Sequence, residues 1–148
     1  MTRVSLLLTM TTAALGAWGT AATPVGTYRL TTVDGQQVPM VWRRAELPDG
    51  GGVQLHWVAG GAKLKRNGRF VVTLTSLRTG VGLAGTTETL TIRGTWRVLS
   101  ASRVQLRFAD GRIGVWRSGE GFSRLTIEAL CQDLEGQARV ATMMLVRD

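Results

Sequence analysis

The segment from residue 86 to residue 117 alternates between apolar and polar side chains over two consecutive runs. The apolar positions share one parity within each run: Leu90, Ile92, Trp96 and Val98, then Val104, Leu106 and Phe108. The other parity is polar and carries four arginines: Arg93, Arg97, Arg103 and Arg107. Successive side chains of a β-strand point to opposite faces of the sheet. With a polar break at 100–102 and a turn at Asp110-Gly111, the segment predicts an antiparallel meander with one dry face and one wet face.

The rest of the chain repeats this pattern of short strands and tight turns. A first strand ends at Asp34-Gly35, and Asn67-Gly68 marks a two-residue hairpin. We expect Gly60-Gly61 to break a strand, 43–52 to be the clearest loop and 79–85 to be a glycine-rich crossing. The pattern predicts an all-β fold, an up-and-down antiparallel meander of about eight strands that closes into a barrel, because closure removes unpaired sheet edges. A two-sheet sandwich is the alternative, although it would need longer connections.

Residues 1–22 have the features of a secretory signal peptide. A positively charged start is followed by an apolar run from Val4 to Trp18 and by small residues that end at Ala22. The apolar run is too short and too rich in threonine to form a stable membrane-spanning helix. We therefore expect cleavage near Ala22, export to the periplasm or the extracellular space, and one mature β-barrel domain over 23–148 with no stable transmembrane segment. An uncleaved N-terminal anchor is the alternative.

The net charge limits the classes of partner that the protein can bind, and the cysteine content limits its disulfide bonds. The chain carries 18 Lys and Arg against 10 Asp and Glu, a formal net charge of +8, but most arginines lie singly on the polar faces of strands. Proteins that bind nucleic acids usually cluster basic residues beside stacking aromatic residues, so we predict no nucleic-acid partner. The single cysteine, Cys131, cannot form an intramolecular disulfide and is expected to be a small buried residue.

No group of residues has the spacing of a catalytic or metal site. His56 is the only histidine, and it lies on the parity opposite to Leu55 and Trp57, which predicts that it faces solvent. Three of the five aspartates precede glycine, where they form turns, and the glutamates are scattered. Catalysis of the common kinds needs paired carboxylates, a nucleophile with a base, or a cluster of metal ligands. We therefore predict a non-enzymatic protein with no catalytic residues, no metal and no cofactor.

Short motifs are spread over nearly all of the mature chain: Gly26-Thr27-Tyr28 followed by residues 30–35, Val38-Pro39, Asn67-Gly68-Arg69-Phe70, Gly94-Thr95-Trp96, Asp110-Gly111 and a late Arg147. Together these motifs resemble those of the small exported bacterial lipocalin-like proteins of the calycin type. In lipocalins the first strand carries Gly-x-Trp, and a late basic residue packs over that tryptophan at the closed end of the barrel. The resemblance implies a lipocalin-like barrel in which Arg147 packs over Tyr28, the residue in the tryptophan position.

The interior of such a barrel is either filled by its own side chains or holds one small ligand. We predict the second case, non-enzymatic binding of a small apolar or amphiphilic molecule. The predicted pocket residues are inward-facing aromatic and aliphatic side chains: Leu55, Trp57, Phe70, Leu90, Ile92, Trp96 and Phe108. By the same resemblance the loop 43–52 would lie at the mouth, where Arg43 and Arg44 could bind an anionic headgroup with paired hydrogen bonds.

Two other functions stay open at the level of sequence. A barrel that is packed solid would act as a protein-interaction, inhibitor or structural module in the cell envelope. A small outer-membrane barrel would need strands of about 9–11 residues with aromatic girdles at both ends, and several strands here are shorter. The size of the cavity separates a carrier from a solid barrel, because a pocket for a drug-sized ligand holds roughly 300 Å³ or more.

Overall fold

The computed structural model describes residues 23–46, 48, 51–80 and 83–148, and the predicted signal peptide at 1–22 lies outside the described residues. The described chain forms ten strands and one short 3-10 turn at Glu120–Phe122: β1 (Gly26–Val33), β2 (Gln36–Gln37), β3 (Met40–Glu46), β4 (Gly52–Leu64), β5 (Arg69–Gly80), β6 (Leu83–Ser100), β7 (Arg103–Phe108), β8 (Ile113–Ser118), β9 (Arg124–Gln132) and β10 (Ala138–Arg147). All ten strands belong to one sheet, in the order β2-β1-β10-β9-β8-β7-β6-β5-β4-β3.

Strand β1 closes this sheet into a barrel. It pairs antiparallel with β10 on one side and, over Gly26–Arg29, with residues 61–64 of β4 on the other. The closed wall therefore contains eight strands, and β2 and β3 extend the ends of β1 and β4. Neighbouring strands are antiparallel and mostly follow one another in sequence, so the predicted all-β, up-and-down antiparallel barrel is confirmed.

The predicted break at Gly60-Gly61 is wrong, because β4 runs without interruption from Gly52 to Leu64. The two glycines are needed for close approach between neighbouring strands. A Cβ atom on Gly61 would lie 2.9 Å from the carbonyl oxygen of Tyr28, and one on Gly60 would lie 3.0 Å from the Leu74 side chain. These glycines therefore let β4 contact its neighbours, and they do not end the strand.

Two predicted connections are shorter than expected. β3 extends to Glu46 and β4 begins at Gly52, so Arg43 and Arg44 lie on a strand and not in the predicted loop 43–52. Similarly, β5 continues to Gly80 and β6 begins at Leu83, within the segment predicted as a crossing. In both places pairing with a neighbouring strand extends the strands into the segments that were predicted as connections.

The predicted inner and outer faces of β6 and β7 are largely correct. Val104 and Leu106 are completely buried, whereas Arg97, Arg103 and Arg107 are exposed. Trp96 and Phe108 are half-buried and pack against the core. The prediction for Val98 is wrong, because its side chain is 45% exposed. Val98 lies two residues before the end of β6, near the tip of the β6–β7 hairpin.

One end of the barrel is closed by Tyr28 and Arg147. The Tyr28 hydroxyl donates to the carbonyl oxygen of Pro24 at 2.7 Å and accepts a hydrogen bond from Arg147 Nη2 at 2.7 Å. The guanidinium of Arg147 lies 5.3 Å from the centroid of the Tyr28 ring and also donates to the carbonyl oxygen of Thr23. Gly26 leaves room for this arrangement, since a Cβ atom there would lie 3.4 Å from Arg147 Nε. The expected packing of Arg147 over Tyr28 is therefore confirmed.

The barrel wall is incomplete because the β7–β8 hairpin is short. β6 has 18 residues and β9 has nine, whereas β7 and β8 have six each. β7 pairs with β6 only along Gly94–Ser100, and β8 pairs with β9 only at Arg117 and Ser118. The described wall therefore has a gap where residues 86–93 of β6 extend past the hairpin turn and residues 127–132 of β9 have no ladder partner in β8. We call this gap the notch; it is bounded by residues 86–93 of β6, 109–112 of the turn and 127–132 of β9.

Candidate functional site

A cavity of about 540 Å³ lies behind the notch. Its walls come from β5 and β6 on one side, from β8, β9 and β10 on the other, and from the β7–β8 turn below. The apolar side chains that define its interior are Val72, Leu74, Phe108, Trp116, Ile127 and Met143. Pockets for small molecules usually measure about 300–1,000 Å³ and are lined mainly by such side chains. The volume and the lining of this cavity are therefore within the range of small-molecule pockets.

A tight turn ends the β7–β8 hairpin and so opens the notch. Gly111 adopts a left-handed conformation with φ of 90°, and its amide donates to the carbonyl oxygen of Phe108 at 2.9 Å. Asp110 accepts hydrogen bonds from the Arg112 amide at 3.0 Å and from Arg112 Nε at 2.6 Å. These hydrogen bonds hold the pKa of Asp110 below its usual range. The carboxylate therefore stays charged and fixes the turn at the lower edge of the notch.

An aromatic cluster forms the inner end of the cavity. Phe70 makes edge-to-face contacts with Phe108 and Trp116, with ring centroids 5.8 Å and 5.6 Å apart. Phe70 is almost completely buried, Trp116 is buried and Phe108 is half-buried. Edge-to-face geometry is a favourable arrangement for such rings. The cluster fills the middle of the barrel and limits the cavity to the side of the notch.

Apolar side chains also surround the opening. Leu90 of β6, Ile113 of β8 and Leu130 of β9 line the cavity and are 51%, 56% and 69% exposed. Single exposed apolar residues are common on protein surfaces. These three belong to the lining of one cavity, so its opening is partly apolar.

Most charged groups at the opening already have partners. Asp110 is paired with Arg112 at 2.6 Å, and Glu128 lies 3.6 Å from Arg117. Arg93, which also lines the cavity, makes no ion pair with the described residues. An exposed ion pair contributes little to stability, so the main effect of these pairs is to neutralise the rim apart from Arg93.

The thiol of Cys131 faces this cavity and is half-buried. Burial raises its pKa above the ordinary value, and the negative charge of Asp34 raises it further. At neutral pH the thiol therefore stays protonated, and the protonated form is a poor nucleophile. The side chain acts as one more apolar group in the lining.

Three of the predicted pocket residues lie together at this site. Leu90, Ile92 and Phe108 line the cavity, and Phe70 packs directly behind Phe108. Trp96 lies towards the closed end of the barrel, where its indole donates to the carbonyl oxygen of Lys65 at 3.0 Å. Trp96 does not line the cavity.

The predicted residues of β3 and β4 form a different cluster. Leu55 and Trp57 are buried in the core, and the Trp57 ring lies 5.9 Å from that of Trp42. The guanidinium of Arg43 lies 4.5 Å from the centroid of the Trp42 ring, and Nη1 donates to the backbone oxygen of the same tryptophan. Arg44 is exposed on β3. None of these four predicted residues, Leu55, Trp57, Arg43 and Arg44, lines the cavity.

Sequence reasoning missed Trp116, Ile127 and Met143. A signal was present for each, because all three lie on the apolar parity of an alternating strand. Alternation identifies an inward position but does not tell which inward positions meet across the barrel. His56 lies on the face opposite to Leu55 as predicted, but it is half-buried and within 3.1 Å of the Thr79 hydroxyl.

The described residues contain no helix that is long and apolar enough to cross a membrane. Within the same part of the chain, no three His, Cys, Asp or Glu side chains are grouped so that they could hold a metal ion. No protein-family model matches the chain, and no curated protein matches it.

Proposed function

We propose that this protein is an exported, non-enzymatic, lipocalin-like barrel that binds one small apolar or amphiphilic molecule in the cavity behind the notch. The observation that carries the proposal is the cavity itself, about 540 Å³ in volume and lined mainly by aliphatic and aromatic side chains. Transfer of an apolar molecule from water to such a lining is favourable because apolar surface is removed from water on both sides. The notch supplies a lateral path of entry.

Features outside the cavity support the lipocalin-like part of the proposal. The contact of Arg147 with Tyr28 corresponds to the basic residue that packs over the first-strand tryptophan in lipocalins. The connected up-and-down barrel is also of the kind those proteins have. Export to the periplasm or the extracellular space rests on the sequence of residues 1–22, and the intact mass of the secreted protein tests it. A secreted form that still begins at Met1 would contradict cleavage.

Binding without catalysis is supported by the positions of the polar groups. His56 lies on the outer side of β4 beside Thr79, away from the cavity. The carboxylates at the rim, Asp110 and Glu128, are paired with arginines. The Cys131 thiol has a raised pKa and is not activated as a nucleophile.

The test uses the apolar dye N-phenyl-1-naphthylamine, whose fluorescence rises in an apolar environment. We expect saturable binding of one dye per chain, with quenching of Trp116 that disappears in Trp116→Phe. Ala129→Phe places a large ring in the cavity from a half-buried position and should weaken binding at least tenfold. The matched control, Ala138→Phe, adds the same ring at an exposed position of β10 and should leave binding unchanged.

The thiol of Cys131 gives a second measurement of the same site. Iodoacetamide should alkylate it slowly at neutral pH, and saturating dye should slow the reaction further because the dye occupies the adjacent space. Absence of saturable dye binding, or equal effects of Ala129→Phe and Ala138→Phe, would refute binding in this cavity. The barrel would then have to act through its surface.

A further inference from the structure

The edge of β6 beside the notch has no neighbouring strand. β6 pairs with β5 along residues 86–95, but its pairing with β7 begins only at Gly94. Among the described residues, β6 therefore has no backbone partner besides β5 over residues 86–92, whereas Ala109 of the β7–β8 turn lies opposite Arg93. An unpaired strand edge presents a row of backbone N–H and C=O groups that can pair with another chain.

The direction of the backbone groups identifies which residues offer them. The carbonyl oxygen of Arg93 accepts a hydrogen bond from the Ala109 amide, so the groups of Arg93 face the β7 side. The Trp96 amide donates to Gly68 and faces the opposite side. Backbone groups alternate along a strand. The N–H and C=O groups that face the notch are therefore those of Thr87, Thr89 and Thr91.

This edge has few of the features that normally prevent pairing. Residues 86–92 contain neither proline nor lysine, their pairing with β5 shows no bulge, and Glu88 is their only charged residue. Threonine and the aliphatic residues of the segment favour the extended conformation. Natural proteins usually protect an exposed edge with charges, proline, a bulge or a covering element. The edge is therefore in a state that accepts another strand.

The chemistry of the opening favours an extended peptide over an apolar molecule at this place. Leu90 points towards the cavity, so an occupant needs an apolar group opposite it. It also needs donors and acceptors for the backbone groups of Thr89 and Thr91 on either side, because a hydrocarbon chain would cover these groups without satisfying them. A β-strand has this alternation, and strand addition is a common mode of peptide recognition.

Two charged side chains define the orientation of such a strand. Arg93 lies at the lower end of the free edge and Glu88 at the upper end, and neither has an ion-pair partner among the described residues. The added strand would continue the line of β7, which is antiparallel to β6. Ala109 already lies opposite Arg93, so the added strand begins opposite Thr91. A strand that complements both charges carries an acidic residue there, diagonal to Arg93, and a basic residue three positions later, opposite Glu88.

We propose that the notch is a docking site for an extended segment of a partner protein, which adds antiparallel to β6 over residues 87–91. The segment carries, in order, an acidic residue beside Arg93, an apolar residue that faces the cavity opposite Leu90, a polar residue, and a basic residue opposite Glu88. This proposal concerns the backbone edge and does not require that a small molecule binds in the cavity.

The test uses the synthetic peptide acetyl-Glu-Val-Thr-Lys-Thr-amide and amide hydrogen exchange measured by NMR. At saturation we expect exchange of the Thr89 and Thr91 amides to slow at least tenfold. The same peptide with N-methyl groups on its two threonine amides should have no effect, because those amides face β6 in the proposed register. A peptide with Glu and Lys exchanged should bind the native protein more weakly, and Arg93→Glu should reduce or reverse that preference.

Two results would overturn the proposal. One is unchanged exchange at Thr89 and Thr91 in the presence of excess peptide, and the other is equal binding of the N-methylated peptide. Arg93 is exposed, so the charge variant is expected to fold, and its circular dichroism spectrum checks this. Slowed exchange at these amides would support strand addition even if N-phenyl-1-naphthylamine did not bind, so the two proposals can fail separately.

Discussion

The closed end of the barrel can be tested by removing a single oxygen atom. Tyr28→Phe keeps the ring beneath the guanidinium of Arg147 but removes the hydroxyl, which accepts from Arg147 Nη2 and donates to the carbonyl oxygen of Pro24, both at 2.7 Å. Tyr28 is only 1% exposed, so water cannot replace the lost contacts without a local opening. The variant therefore separates the polar part of this contact from its packing.

The expected magnitude follows from the two hydrogen bonds. A neutral hydrogen bond contributes about 0.5–1.5 kcal/mol to stability, and one to a charged group contributes about 1.5–3 kcal/mol. Arg147 is half-buried and keeps its contact with Thr23. We therefore take the contribution of the hydrogen bond between Arg147 and the Tyr28 hydroxyl at the lower limit of that range, about 1.5 kcal/mol. We expect the free energy of unfolding to fall by about 2–3 kcal/mol. For a domain of this size, this corresponds to a decrease in Tm of roughly 6–12 °C.

Urea and thermal unfolding followed by circular dichroism measure this change. Thr27→Val is the matched control, because Thr27 is exposed on the same strand and its replacement should change stability by less than about 0.5 kcal/mol. If Tyr28→Phe were as harmless as Thr27→Val, the hydrogen bonds at the closed end would not stabilise the barrel, and the reasoning would be refuted.

Three further predictions concern the rest of the barrel. Leu106→Ala should lower the free energy of unfolding in urea by about 2–5 kcal/mol, and Arg107→Ala should lower it by less than about 0.5 kcal/mol, because only Leu106 is buried. Equal losses would mean that the inner and outer faces are wrongly assigned. Gly94→Ala should cost about 3 kcal/mol or more by the same measurement, since the new Cβ atom would lie 2.0 Å from the carbonyl oxygen of Arg107, and native-like stability would contradict this. Hydrogen bonds from Arg139 and from backbone amides lower the pKa of Asp133 from its ordinary value of 3.8. The ionised carboxylate therefore stabilises the fold fully above pH 3.8, and this stabilisation is lost as the pH falls through the lowered pKa. The Tm of Asp133→Asn should therefore lie below that of the native protein at pH 7 and approach it in acid, and a difference that is independent of pH would count against this linkage.

Local alternation was sufficient to predict the barrel and most of its faces. The alternation that places Leu106 inside and Arg107 outside involves only a few neighbouring residues. The folded barrel keeps this alternation because one face of each strand is buried away from water. Alternation does not determine how deeply a side chain is buried, since burial also depends on the residues that lie across the barrel. Val98 has the inward parity of Trp96 but is 45% exposed, because it lies near a hairpin tip.

The candidate site was predictable only in part, because it depends on differences in strand length between neighbours. Leu90, Ile92 and Phe108 were identified as inward residues, and they meet at the cavity. Their meeting with Trp116 and Ile127 results from the early end of the β7–β8 hairpin beside the much longer β6. Strand ends and registers are set by pairing over long separations in sequence, which a local pattern does not contain.

The length of the β7–β8 hairpin, and not the chemistry of its side chains, determines the width of the entrance to the cavity. Two residues inserted on each side of the turn at 110–111 would keep every side chain on its present face, because the strand period is two. Each strand would grow by roughly 7 Å, at about 3.4 Å per residue, and would extend alongside the free edge of β6. Insertions and deletions at one exposed turn could thus convert this protein between an open and a sealed form, while its core and its closed end remained unaltered.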